Sequence, residues 1–332
     1  MINVVILGCG SITDWRHGPE CRDSDKVNLV GFWNRTYETA KKFAEKFGGK
    51  AYESYDEVLA DKGVDAIIVT TNNATHADMT VRALESGKHV LCEKPLAVTA
   101  EEAEKMIEAS RKTGKLLLTA FNQRLDPAHV ALKRVIDEKT LGRVLSFETS
   151  FIGAGPEGWS ANKTPSTWFF NKDSAGMGAV GDLGVHKADL MSYLLGEHFR
   201  SVYAAVRTLD KKGPDGEPIQ IEDNGYAILE SESGITGLLH ASWVCYGRGS
   251  SQTLIHFENG TAVTDGANLT LYHRDGKVTE VEITDKARVL CDVLAESVEK
   301  GVPEISGEDG LWALKTVVSA IKSSATSTKV DI

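Results

Sequence analysis

Residues 1–122 are expected to fold as a doubly wound α/β domain on a parallel sheet. Residues 123–332 are expected to form an α+β domain with a large, mostly antiparallel open sheet. Three observations lead there. In the first part, short and near-continuously apolar runs alternate with amphipathic helical patterns, as buried parallel strands and their crossover helices do. A glycine-rich turn, "GCGSIT", follows the first of those runs. Past residue 125 the texture changes to long alternating or β-rich runs joined by turn sequences.

The strands of the first part are read at Ile2–Leu7, Asn28–Trp33, Ala66–Thr70, His89–Cys92 and Leu116–Ala120. Between them, "TYETAKKFAEKF" repeats Ala40, Phe43, Ala44 and Phe47 at i, i+3, i+4, i+7, one apolar face of a helix. In "TAEEAEKMIEAS", Thr99 and Glu102 have the spacing of a capping box. Pro127 opens a helix to about Glu138. From Arg143 the runs "RVLSFETSFI", "NGYAILESE", "ITGLLHASWV", "QTLIHFE", "GTAVTD" and "NLTLYH" read as antiparallel strands, linked at Gly234, Gly260 and Gly276. Two helices close the chain, roughly 286–300 and 308–323, and the last of them is free to pack back on the first domain.

Composition narrows the function. With 37 Lys+Arg against 47 Asp+Glu the 332-residue chain carries a net charge of −10, which disfavours a nucleic-acid partner. No apolar run approaches a membrane span, and no basic leader precedes the first strand, so a cytoplasmic protein without a membrane partner is expected. The five cysteines form no C-x-x-C pair, and neither a disulfide framework nor a metal site is indicated.

Candidate site residues cluster where strands end, the ligand edge of an open parallel sheet. In "GCGSIT", Gly8 suits a tight turn and Gly10 lets backbone approach a pyrophosphate. Ser11 and Ile12 follow at the helix start, and Thr13 stands where the fingerprint has glycine or alanine. The second strand ends in Asn34, Arg35 and Thr36: no carboxylate for a ribose 2′-hydroxyl, but a cation and a hydroxyl where a 2′-phosphate would lie. In "GKHVLCEKPLA" a buried strand stops at Glu93 and Lys94. Pro95 holds Lys94 in extended or turn geometry, either to reach a ligand or as a solvated loop residue. "TTNNATH" places Thr71, Asn73 and His76 at the next strand end, and "FNQR" places Asn122 and Arg124 at another. In "GDLGVHKADLMSYLLG", Asp182, His186, Asp189 and Tyr193 share one helical stripe. Either Asp182 orients His186 or the stripe is a solvated face with Asp182 as N-cap. Trp159, Trp168, Phe169 and Phe170 form either a substrate-facing wall or a satellite cluster.

Taken in order, "GCGSI", "TTNNATH", "GKHVLCEKPLA", "FNQR" and "GDLGVHKADL" resemble the glucose–fructose oxidoreductase / inositol dehydrogenase / rhizopine-catabolism (Gfo/Idh/MocA) family over most of the chain. The resemblance implies a Rossmann domain, then an α/β domain whose open sheet serves oligomerisation, giving a homodimer or homotetramer. It implies Lys94, Asp182 and His186 as the catalytic set. Gly8, Gly10, Thr71, Asn73, His76 and Glu93 would line the nicotinamide dinucleotide. Lys94, Asp182 and His186 would face a sugar, inositol or related polyol, and Arg124 and Trp168 are the further substrate-side candidates read from the strand end and the aromatic stretch. Two positions depart from the family pattern. Thr71-Asn72-Asn73 replaces Thr-Pro-Asn, which is expected to alter the loop under the nicotinamide. Asn34 replaces the usual acid, which shifts the expected cofactor to NADP, with NAD second. Rival functions are a catalytically silent, sugar-responsive NAD(P)-binding regulator and a glycosidase that oxidises its substrate transiently and retains its cofactor. Keeping all three of Lys94, Asp182 and His186 argues against the regulator.

Overall fold

The computed structural model describes residues 1–161 and 163–332. Six strands make the first sheet: β1 Ile2–Leu7, β2 Val27–Trp33, β3 Lys50–Tyr52, β4 Ala66–Val69, β5 His89–Cys92 and β6 Leu117–Thr119. Their order is β3-β2-β1-β4-β5-β6 and every pairing is parallel. Val4–Leu7, Ala66–Val69 and Val90–Cys92 are fully buried, which explains their uninterrupted apolar runs. The order reverses between β1 and β4, and a crevice opens at their carboxyl ends. The expected strands all form. β3 is absent from the sequence reading, because three residues beginning on the exposed Lys50 make no apolar run.

The second sheet has nine strands: β7 Val144–Ile152, β8 Phe199–Arg207, β9 Asn224–Ser231, β10 Thr236–Ser242, β11 Thr253–Phe257, β12 Gly260–Thr264, β13 Leu269–His273, β14 Val278–Glu280 and β15 Val330–Asp331. The order is β14-β13-β12-β11-β7-β10-β9-β8-β15, antiparallel except for the β7–β10 pair. In β9, Gly225, Ala227, Leu229 and Ser231 point inward, while Tyr226 and Ile228 point out. Helices Pro127–Asp137, Val185–Leu195 and Gly307–Thr326 pack on the inner face.

The chain then returns to the first sheet. Helix Leu290–Lys300 packs on β2 and on helix Gly18–Asp23. Helix Gly307–Thr326 lies on β8 and also on β6 and helix Ala100–Thr113. Thr99 and Glu102 form the capping box their spacing predicted. Among the described residues no helix is long and apolar enough to cross a membrane.

Candidate active site

β1 runs straight into Gly8, whose φ is +103°. A Cβ there would lie 2.8 Å from the Thr70 carbonyl oxygen, so the turn demands glycine. Thr13 occupies the third fingerprint position because its hydroxyl is satisfied: it donates to the Gly8 carbonyl (2.8 Å) and pairs with Thr70 Oγ1 (2.7 Å). A Cβ on Gly10 would meet nothing within 4 Å, so the loop leaves open space in front of the helix start. That cradle fits the pyrophosphate of a dinucleotide. The helix begins with a π-turn, Thr13–His17, before Gly18–Asp23. Asn34 does not reach outward. Its Oδ1 accepts from the Cys9 amide (3.2 Å) and its Nδ2 donates to the Thr36 carbonyl (3.2 Å), while Arg35 and Thr36 stand exposed beside it.

At the end of β5, Glu93 and Lys94 go separate ways. Glu93 is buried, and burial pushes its carboxyl up, but the bond from His17 Nε2 (2.8 Å) and the charges of His17, Lys94 and Arg16 bring it below its usual value. Lys94 turns into the crevice, where Nζ donates to Asp182 Oδ1 (2.7 Å) and to the Asp182 carbonyl (3.0 Å). The solvated-loop alternative therefore does not hold for Lys94. His76 sits behind the segment with Nδ1 2.9 Å from the Pro95 carbonyl and Nε2 3.1 Å from the Thr71 carbonyl, and burial lowers its pKa. A neutral ring carries one N–H and donates to one of these two carbonyls, so the imidazole is wedged between the two loops. Asn73 likewise donates to the Ala175 carbonyl (2.9 Å). The expected change at Thr71-Asn72-Asn73 does not follow from the missing proline: Asn72 takes φ −72°, the value proline would impose.

The histidine helix corrects two expectations. Asp182 is not an N-cap, because helical backbone begins earlier, in the π-turn Val180–Gly184. Glu222 does the capping, with Oε1 accepting from the Gly178 (2.8 Å) and Val180 (3.2 Å) amides. Nor does Asp182 hold His186. Its second oxygen accepts from Trp243 Nε1 (3.1 Å), so the carboxylate positions Lys94 instead. His186 lies between Phe121 (6.3 Å) and Phe151 (5.7 Å), and its buried Nδ1 has no partner among the described residues. Burial, then the charges of Lys94, Arg16 and Lys187, hold it well below the ordinary histidine pKa. The stripe is not a solvated face either. Asp189 is buried and takes a bidentate pair of bonds from Arg124 (2.9 and 2.5 Å), which also reaches Asp309 (2.9 Å).

A cavity of about 720 Å³ collects these groups. Gly10, Ser11, Ile12, Thr71, Asn73, His76, Glu93, Lys94, Asn122, Trp168, Asp182 and His186 all border it. Part of its wall is aromatic: Trp168 stacks on Phe169 at 3.9 Å, and Trp159 meets Phe169 edge-on at 4.9 Å. Arg124 is the substrate-side residue the structure takes elsewhere, into the ion pair that joins the β6 exit to two helices. Trp15 and Arg16 border the cavity but were not singled out in the sequence, where they look like two solvated positions of the first helix. His17, Trp243 and Glu222 were missed too, since their partners lie 76, 61 and 44 residues away.

Comparison with known proteins agrees with this geometry. Residues 2–121 match a family described as "Oxidoreductase family, NAD-binding Rossmann fold", and residues 129–263 match the "GFO/IDH/MocA C-terminal domain". Levoglucosan dehydrogenase of Pseudarthrobacter phenanthrenivorans is 33% identical over 246 residues, which are 68% of this chain and 62% of that enzyme's length. 1,5-Anhydro-D-fructose reductase of Ensifer adhaerens is 29% identical over 319 residues, 92% of this chain and 91% of the enzyme. Among solved structures, GenD2 from gentamicin A biosynthesis, in complex with NAD, superposes with a TM-score of 0.84 at 26% identity, covering 100% of this chain and 96% of that one. Fold, phosphate loop and both matched segments agree: the chain belongs to the Gfo/Idh/MocA family of NAD-binding oxidoreductases.

Proposed function

We propose that this protein oxidises a ring hydroxyl of a sugar, inositol or related polyol to a ketone, or runs the reverse reduction, with NAD(P) as redox partner. The carrying observation is the convergence of Lys94, Asp182 and His186 on the cavity that Gly10, Ser11 and Ile12 of the phosphate loop also border. The names of the relatives, levoglucosan dehydrogenase and 1,5-anhydro-D-fructose reductase, support the substrate class. In this reading residues 1–122 hold the dinucleotide and residues 123–332 hold substrate and a second subunit.

Bound NAD(P) supplies the hydride acceptor. The chain's own groups do the rest. Asp182 fixes the Lys94 ammonium, which donates to the reacting oxygen and stabilises alkoxide character as it develops. His186, kept neutral by its surroundings, accepts the hydroxyl proton. The aromatic wall excludes water and stacks on the C–H face of the ring. A screen of sugars and polyols with both dinucleotides, read by cofactor absorbance, tests the reading. Turnover supports it. Ligand binding with no turnover would favour the regulator, and glycoside cleavage without net cofactor reduction the cofactor-retaining glycosidase.

NADP preference belongs to the same proposal. Asn34 offers no carboxylate to repel a 2′-phosphate, and Arg35 stands exposed beside it with a planar donor fork. A charge-assisted bond is worth about 1.5–3 kcal/mol, a ten- to hundredfold preference. Arg35→Ala should raise KM for NADP(H) by that factor and leave NAD(H) nearly unchanged. Higher kcat/KM with NAD(H) in the wild type would sink this part.

A further inference from the structure

Arg16 borders the same cavity as Lys94 and His186, yet nothing in the reaction described above uses it. Its side chain is only 20% exposed, and its guanidinium makes no hydrogen bond among the described residues. The nearest carboxylate, Glu20 one turn on, is 4.0 Å away, and the ring of Trp15 lies 4.7 Å from Cζ. A guanidinium that borders a cavity with its donors unspent is placed to bond a ligand that enters it. The other charges of the cavity are committed: Lys94 to Asp182, and Glu93 to His17. Arg16 is thus the cation of the cavity lining whose donors make no hydrogen bond among the described residues. It borders the cavity together with Glu93, Lys94 and His186.

We infer that Arg16 is a specificity-determining residue, and that the preferred substrate is a sugar or polyol carrying an oxyanion, a carboxylate or a phosphate. The inference rests on the oxidoreductase reading above and names its substrate class. The planar fork suits two-oxygen recognition of either group, and Trp15 backs the guanidinium plane. The rival source of the same chemistry is the pyrophosphate of the dinucleotide itself, which would make Arg16 a cofactor residue.

Trp15, Trp159 and Trp168 border the cavity, so tryptophan fluorescence reads binding without turnover. The probes are D-glucuronate, D-gluconate and glucose-6-phosphate against D-glucose, each with saturating dinucleotide, on wild type, Arg16→Gln and Arg16→Lys. Kd of the dinucleotide alone is measured in parallel. At least one acidic probe should bind wild type more tightly than glucose. Arg16→Gln should shrink that acidic-to-neutral ratio by about ten- to a hundredfold, in Kd and in kcat/KM, and Arg16→Lys should keep part of it. An unchanged ratio overturns the proposal, and so does a loss confined to dinucleotide affinity. Acid-selective binding that depends on Arg16 without turnover of any probe would support the anion site while sinking the dehydrogenase reading. Turnover of neutral sugars alone would do the opposite.

Discussion

In the proposed reaction Lys94 and His186 divide the proton work because their surroundings differ. Asp182 touches the lysine and not the histidine, so the ammonium is anchored and the imidazole is left neutral beside cations. Lys94→Met or His186→Ala should lower kcat by roughly 10²–10⁴-fold, the scale of a lost acid–base group, measured as single turnover with saturating dinucleotide. A base must be neutral to accept a proton, and His186 titrates well below the ordinary 6.5. Oxidation should therefore persist to pH values below 6.5 before its acidic limb falls. Lys94→Met removes one of the cations that depress His186, so the imidazole pKa should rise, visible in an NMR titration of the ring protons that needs no activity. No rise would mean that Lys94 does not face the histidine. The sequence singles these two residues out through the joint pattern that "EKP" and "GDLGVH" make, since each segment alone also fits a solvated position. Their partners were less legible. Trp243 completes the Asp182 carboxylate from 61 residues away, and no periodicity within a helix can announce such a contact.

Elements meet around Arg124, which leaves β6 and bonds the histidine helix through Asp189 and the last helix through Asp309. Burial works against the guanidinium charge, but the two carboxylates more than offset it. Arg124→Met would leave Asp189 buried without its counter-charge, a loss of about 3–5 kcal/mol. The urea midpoint should fall accordingly, and Arg124→Met with Asp189→Leu should recover much of the loss. A midpoint that does not move would show that the triad contributes nothing. Sequence periodicity found the helix that carries Asp189 and the strand that precedes Arg124, because burial writes itself as an apolar pattern. It did not find their pairing, since an acid and an arginine at element ends look the same whether bonded or solvated. The π-turns at Thr13–His17 and Val180–Gly184 were illegible for a related reason: an i→i+5 turn changes which side chains share a face while leaving composition untouched.

At the scale of the whole molecule the nine-stranded sheet is covered on one face only. Helices pack on the inner face, while Leu145, Tyr203, Tyr226, Ile228, Tyr272 and Val278 are exposed. Tyr203, Tyr226 and Ile228 lie side by side. Register puts Tyr203 opposite Ile228 and Ile228 opposite Leu238, and the neighbouring row runs Ala205, Tyr226, His240, with Tyr226 stacked on His240 at 3.8 Å. An apolar band over the three adjacent strands β8, β9 and β10 is what a self-associating face looks like, whereas single exposed apolar residues are ordinary. A stable dimer needs roughly 1,200–2,000 Å² of total buried surface, which a sheet of this width can supply from both copies. We therefore expect a homodimer or homotetramer through this face. Light scattering should give a multiple of 36.0 kDa at micromolar concentration. Tyr226→Lys with Ile228→Lys places like charges at the centre of a two-fold face, and should shift the mass toward the monomer while dinucleotide binding at the other sheet is kept. A wild-type mass that stays at 36.0 kDa would leave the band without a second copy.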